Sequence, residues 1–212
     1  MGLDLCVEAR ANPGHETEWE STVCRFFADE ELSDAELERF RSISQPAYAS
    51  LGAPRVGSDA IADNWIATQL ADQMSREQAI AEYDGFYALS LINSDGLPQF
   101  THAGLYEGVD ETSFRGSFLE SCVQILSKQL IDEAWNHRMP DEAITYGKAL
   151  LAAVDDARNG KTLTPKKPSM FAAFFRSVPD KLPIDDQLDI VDTAGRWFVF
   201  WGNQGHPIRA YY

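Results

Sequence analysis

The run Trp197-Phe198-Val199-Phe200-Trp201 constrains the fold of this chain more than any other segment. Five consecutive large apolar residues place apolar groups on both faces of a strand, so neither face can be left to water. The pattern predicts a central strand or a segment of an interface. Gly202-Asn203-Gln204-Gly205 would then turn the chain, and Ile208 to Tyr212 would pair back as a hairpin. Such a run needs a substantial core around it. The composition supplies one: 212 residues, 44% of them apolar and 24% charged. No apolar stretch reaches the roughly 18 residues of a membrane-spanning helix.

The remaining periodicities switch between strand and helix. Leu3, Leu5 and Val7 alternate with polar or small residues, which is strand period. After the Asn12-Pro13-Gly14 break the pattern becomes helical, with Trp19, Val23, Phe26 and Phe27 on one stripe. Ser33 with Glu36, and Ser75 with Gln78, have the spacing of capping boxes and predict two helix starts. Ser58 is the expected cap of a helix carrying Ile61, Trp65 and Ile66. Phe86 to Ile92 reads as a buried strand, followed by a turn at Asn93-Ser94-Asp95-Gly96 and a return strand through His102. A long central helix is expected from Thr112 to Trp135, and another from Pro140 to a stop at Gly160. A linker over 161–169 leads to an apolar helical face of Met170, Phe171, Phe174, Phe175 and Val178, then to a short acidic helix from Asp185 to Thr193. Together these elements predict an α+β fold, several helices on a small, mainly antiparallel sheet, in a single domain over 1–212. The roughly 43 residues after the linker are too few for a separate core.

Charge is distributed unevenly. The net charge of −15 divides into −12 for residues 1–106, with 18 acids and 6 bases, and −3 for residues 107–212, with 15 acids and 12 bases. No lysine precedes Lys128. A field of this sign repels nucleic-acid phosphates and anionic lipid, and it attracts basic proteins. Nucleic acid and membrane are therefore excluded as expected partners. The first residues carry neither a basic region nor a long apolar stretch, so a cytoplasmic protein is expected. Arginine exceeds lysine by 12 to 6, which is associated with GC-rich bacterial genomes.

Linear motifs for chemistry fail one after another. Gly160-Lys161-Thr162 has the tail of a phosphate-binding loop, but Asp155 stands where the first glycine is needed, and a helix rather than a strand precedes it. His15 is followed at i+4 by Trp19, so no metal-ligand pair shares its helical face. Cys6, Cys24 and Cys122 are odd in number and far apart, and read as small buried hydrophobes rather than a disulfide or zinc framework. No cofactor or metal is implied. His206 is expected at an exposed hairpin turn, and His102 at a strand end is the better site candidate, with Glu107 and Asp110 as companion acids.

Two functional expectations remain. The first is a non-catalytic, inhibitor or immunity-type module that engages a basic partner. Its candidate contacts are Glu30, Glu31, Asp34 and Glu38, the acidic stripe Asp185, Asp186, Asp189 and Asp192, and the terminal pair Tyr211 and Tyr212. The second is an enzyme or small-ligand protein whose site assembles only in the fold, around His102. A homo-oligomer through the C-terminal aromatic segment is the third possibility.

Overall fold

A computed structural model describes residues 2–92, 112–161 and 182–212. Along the chain run β1 (Asp4–Val7), β2 (Arg10–Ala11), α1 (Glu16–Phe27), α2 (Asp34–Ser42), β3 (Ser44–Gln45), α3 (Ala47–Ser50), α4 (Ala60–Gln69) and α5 (Arg76–Glu82). Then follow β4 (Ser113–Phe114), α6 (Lys128–Glu133), α7 (Pro140–Arg158), α8 (Ile184–Asn203) and β5 (Ile208–Tyr211). The fold is α+β with two small antiparallel sheets, a three-stranded one in the order β4-β1-β5 and a two-stranded one pairing β2 with β3. The chain divides into two compact units, Ala9–Asp95 and the combination of Met1–Glu8 with Gly96–Tyr212.

In the unit Ala9–Asp95 the helix starts are where local chemistry puts them. Ser33 accepts from the Glu36 amide while the Glu36 carboxylate accepts from the Ser33 amide, and Ser75 and Gln78 do the same at α5. The cap of α4 falls on Asp59 rather than Ser58, and the Asp59 side chain accepts from the Arg55 amide instead of from its own helix. α1 buries Trp19 and Val23. Val56, Ala62, Ile66, Ala79 and Ala88 form a second apolar cluster under α4 and α5. The segment Phe86 to Ile92 is not a strand. Among the described residues its one bridge pairs Tyr87 with Arg55, Phe86 is 63% exposed, and Leu89–Leu91 coil into a 3-10 turn. The amides of Ala88 and Leu91 are taken by Pro54 and Ala88 carbonyls, the second of these a local 3-10 bond that a strand would not make.

The other unit is built on α7 and α8. The apolar run at Trp197–Trp201 is helical. It belongs to the continuous 20-residue α8 that begins with the acidic segment, in place of a short helix and a strand. Trp197, Phe198 and Trp201 are fully buried, with Trp197 against Phe114 of β4 at 6.1 Å and Phe198 edge-on to Tyr146 of α7 at 4.9 Å. A helix flanked by a sheet and a second helix is apolar nearly all round, which answers the same demand a central strand would. β5 accordingly pairs with β1, more than 190 residues away in sequence, and not with the aromatic run. Leu5 lies opposite both Phe114 and Ala210, and all three are buried on the same side of the sheet.

The expected helix over Thr112–Trp135 is broken into β4, a 3-10 segment at Gly116–Ser121 and the short α6. Tertiary partners take two of its amides, Ser117 donating to the Leu3 carbonyl and Gln124 to the Gln187 side chain, and the Ser127 hydroxyl starts α6 afresh by accepting from the Leu130 amide. Ile125 and Leu126 are buried as expected, but Val123 is 40% exposed. α7 runs from Pro140 to Arg158, and Gly160 follows it at φ +83°, the left-handed conformation of a helix stop. Beyond Lys161 the expected linker, and all of the Met170–Val178 helical face, lie outside the described residues, as do the turn and return strand expected after Ile92.

Candidate functional site

The acidic surface is built on α1 and α2. The unit Ala9–Asp95 holds 16 acids against six arginines and no lysine, a net of −10, and the other unit holds 17 acids against 12 bases, a net of −5. Two of these arginines, Arg25 and Arg39, are drawn into ion pairs with acids of the same unit. Arg25 reaches Glu30 at 2.9 Å and Glu36 at 2.8 Å, and Arg39 reaches Glu18 at 2.7 Å. The Arg25 guanidinium, helped by the Ser33 cap, holds the Glu36 carboxyl down at about 2, and Arg39 lowers Glu18. Glu30 is thus an ion-pair partner rather than an open charge. Glu31, Asp34 and Glu38 are exposed, and no ion pair forms to them among the described residues. Asp34 and Glu38 are spaced i, i+4 on α2, where like charges repel unless something neutralises one of them.

The second acidic stripe lies on α8. Asp185 and Asp189 are exposed at its start, while Asp192 is held by Arg196 at 2.9 Å and Arg158 at 3.6 Å. Among the described residues no ion pair forms to Asp185 or Asp189, while Asp186 between them is half-buried, all in the first two turns of α8 near the positive end of the helix dipole.

Tyr211 and Tyr212, at 41% and 64% exposure, remain on the surface, unlike the tryptophans that precede them in sequence. Tyr211 donates through its hydroxyl to the Glu8 carboxylate at 3.0 Å and lies beneath the Arg209 guanidinium. Burial raises the Glu8 carboxyl despite that hydrogen bond and the nearby Arg209, and it pushes the Tyr211 hydroxyl up to about 12. The Tyr212 ring leans on Trp135 at 5.5 Å.

His102, Glu107 and Asp110 lie outside the described residues. His206 is not exposed at a turn. It is completely buried, with Nδ1 2.7 Å from the Glu8 carbonyl oxygen and its ring edge-on to Trp201 at 5.3 Å. Of the cysteines, Cys122 is buried and its thiol pushed up to about 12, Cys6 is half-buried, and Cys24 is exposed on α1, against expectation, because it falls on the polar side of that helix.

One feature was not legible in any linear motif. An open groove of about 460 Å3 lies between α6 and the start of α7, lined among others by Glu133, His137, Arg138, Asp141, Glu142 and Tyr146. Arg138 forms its floor. It is 5% exposed, its Nη1 donates to the Asn136 carbonyl at 2.8 Å and Nη2 to the Glu133 carbonyl, and its guanidinium stacks 3.8 Å above the Tyr146 ring. Burial lowers Arg138 and raises Tyr146 from their ordinary values. Carboxylates on its walls and a cation at its base leave the groove without a single sign of charge. Among the described residues no three His, Cys, Asp or Glu side chains converge as metal ligands, and no helix is long and apolar enough to cross a membrane. No protein-family model, curated protein or solved structure matches this chain.

Proposed function

We propose that this chain is a non-catalytic binding module, of the inhibitor or immunity type, whose Ala9–Asp95 unit engages a basic protein. The observation that carries this reading is the state of charge around α2: Glu31 in the loop before it and Asp34 and Glu38 on it stand exposed with no ion pair among the described residues, in a unit of net −10 whose Arg25 and Arg39 are already engaged. Like charges at i, i+4 cost a helix a few tenths of a kcal/mol, a cost that a basic partner would reverse on docking. The exposed Asp185 and Asp189, and the Tyr211–Tyr212 pair, offer further contacts in the other unit.

The test has two stages. Untagged protein recovered gently from its host is weighed as a native complex, and the associated protein is identified. The association rate of that protein is then measured for the wild type and for a Glu31→Lys, Asp34→Lys, Glu38→Lys variant. The expected result is a stoichiometric complex with a basic protein, and a variant slower by about tenfold or more at low ionic strength, the difference shrinking as salt is added. Recovery as a bare monomer or homo-oligomer, or equal rates at low salt, would overturn the proposal.

A further inference from the structure

β5 is an edge strand of the sheet β4-β1-β5, yet its outer edge is not open. The segment preceding α7 covers it. Arg138 and Ile208 exchange both backbone hydrogen bonds, at 2.9 and 2.8 Å. Among the described residues the next amide on the same edge, that of Ala210, has no backbone partner there. It donates to the Nδ1 of His137 at 3.1 Å instead. A peptide N–H can only donate, so the Nδ1 facing it must be the unprotonated nitrogen of a neutral ring. Ala210 is 3% exposed, so its amide has little access to water as a substitute. Protonation of His137 would set two N–H groups against each other in a buried position, and one of them must move.

From this geometry we infer that His137 is a proton-operated latch on the C-terminal strand: the neutral imidazole holds Ala210, and the imidazolium releases Ala210–Tyr212 from the segment before α7. What would be released is the outer edge of a short segment that stays paired with β1, Ala210 opposite Leu5 and Tyr211 opposite Asp4. Its other contacts are the Tyr211–Glu8 hydrogen bond and the Tyr212–Trp135 ring contact. The charged neighbours of His137 pull in opposite directions. Glu133 of α6 and Asp141 and Glu142 of α7 line the same groove and favour the imidazolium; Arg138, beside it in sequence, opposes it; Tyr146 is neutral there. On β5 itself, Arg209 and Tyr211 flank Ala210 but project to the other face of the sheet, toward Glu8.

The experiment follows the full-length protein by NMR between about pH 7.5 and about pH 5, reading the His137 ring and the Ala210 amide together. The latch requires that the Ala210 amide shift with the same midpoint as the ring, and that its exchange protection, corrected for the intrinsic pH dependence of exchange, fall by at least about tenfold across that midpoint. His137→Asn, whose Oδ1 can occupy the Nδ1 position at any pH, should keep the protection flat, and His137→Leu should be unprotected throughout. An Ala210 amide that stays protected while His137 titrates, a ring that stays neutral down to about pH 5, or the same acid-induced loss in His137→Asn would overturn the inference. Should either variant fail to fold, the wild-type titration alone still separates the outcomes.

Discussion

Gly147 of α7 and Gly195 of α8 meet backbone to backbone: a Cβ added to Gly147 would lie 2.7 Å from the Gly195 carbonyl oxygen, and one added to Gly195 would lie 3.0 Å from the Gly147 carbonyl oxygen. Each glycine lets the other helix approach, and the approach is what allows Phe198 to reach the Tyr146 ring at 4.9 Å. Gly147→Ala would also press on the Phe198 Cβ at 2.8 Å, which is fixed to its backbone, and on the Val199 Cγ2 at 2.9 Å, whose β-branched side chain strongly prefers one rotamer in a helix. The better helix propensity of alanine offsets up to about 1 kcal/mol, against an overpacking cost of about 1–3 kcal/mol or more. Gly147→Ala is therefore expected to lower the urea midpoint with little change in slope, and Gly147→Leu to lower it much further. A midpoint at or above that of the wild type would show that the helices separate without penalty.

The reciprocal cap at Ser33 and Glu36 gives a second expectation. Ser33→Ala removes the acceptor of the Glu36 amide and should cost about 1 kcal/mol of unfolding free energy, within a range of about 0.5–2. Its pH signature follows from the lowered Glu36 carboxyl. A group whose folded value lies below its unfolded one stabilises the protein at pH above the unfolded value, and that stability is lost as pH falls toward the folded value. For Glu36 the window runs from the ordinary 4.5 down to about 2. Urea denaturation at pH 7 and at pH 3 should show the gap between the wild type and Glu36→Gln narrowing at the lower pH. A gap that is constant would mean that the charged form of Glu36 contributes nothing beyond its hydrogen bonds.

Glu8 predicts the opposite slope. Its carboxyl is raised by burial, against the pull of Tyr211 and Arg209, so the folded protein binds a proton there more readily than the unfolded chain does. That preference stabilises the fold at pH below the unfolded value of 4.5 and is lost as pH rises through the higher folded value. Glu8→Gln keeps an acceptor for the Tyr211 hydroxyl and removes the buried charge. It should be more stable than the wild type at pH 7 and close to it at pH 4. Thermal melts at the two pH values check this, and a variant less stable at pH 7 would show that the charge on Glu8 is needed by Arg209 more than burial penalises it.

What sequence reading reached was governed by chemistry within a few residues. The boxes at Ser33–Glu36 and Ser75–Gln78, the start at Pro140 and the stop at Gly160 were legible because a cap is satisfied locally, whatever packs above it. The strand at Asp4–Val7 and the burial demanded by Trp197–Trp201 were legible too, since alternation and unbroken apolarity state which faces must be covered.

What covers them was decided by partners far away in sequence. Trp197–Trp201 is equally suited to a central strand or a buried helix, and only α7 on one side and the sheet on the other made it helix. The long helix expected over 112–135 breaks where Leu3 and Gln187, distant in sequence, offer its amides other acceptors, and Ser127 then caps α6 locally. His206 became core, and His137 became the cover of an edge strand, through contacts with Glu8 and Ala210 that span 198 and 73 residues. Sequence by itself therefore determined the α+β class, the local helix boundaries and the concentration of negative charge in the first half, since each depends on residue type and short-range spacing. Strand pairing, the groove at Arg138 and the pairing or exposure of each acid were settled only by tertiary structure, because hydrogen bonds and ion pairs depend on distances that the order of residues does not encode locally.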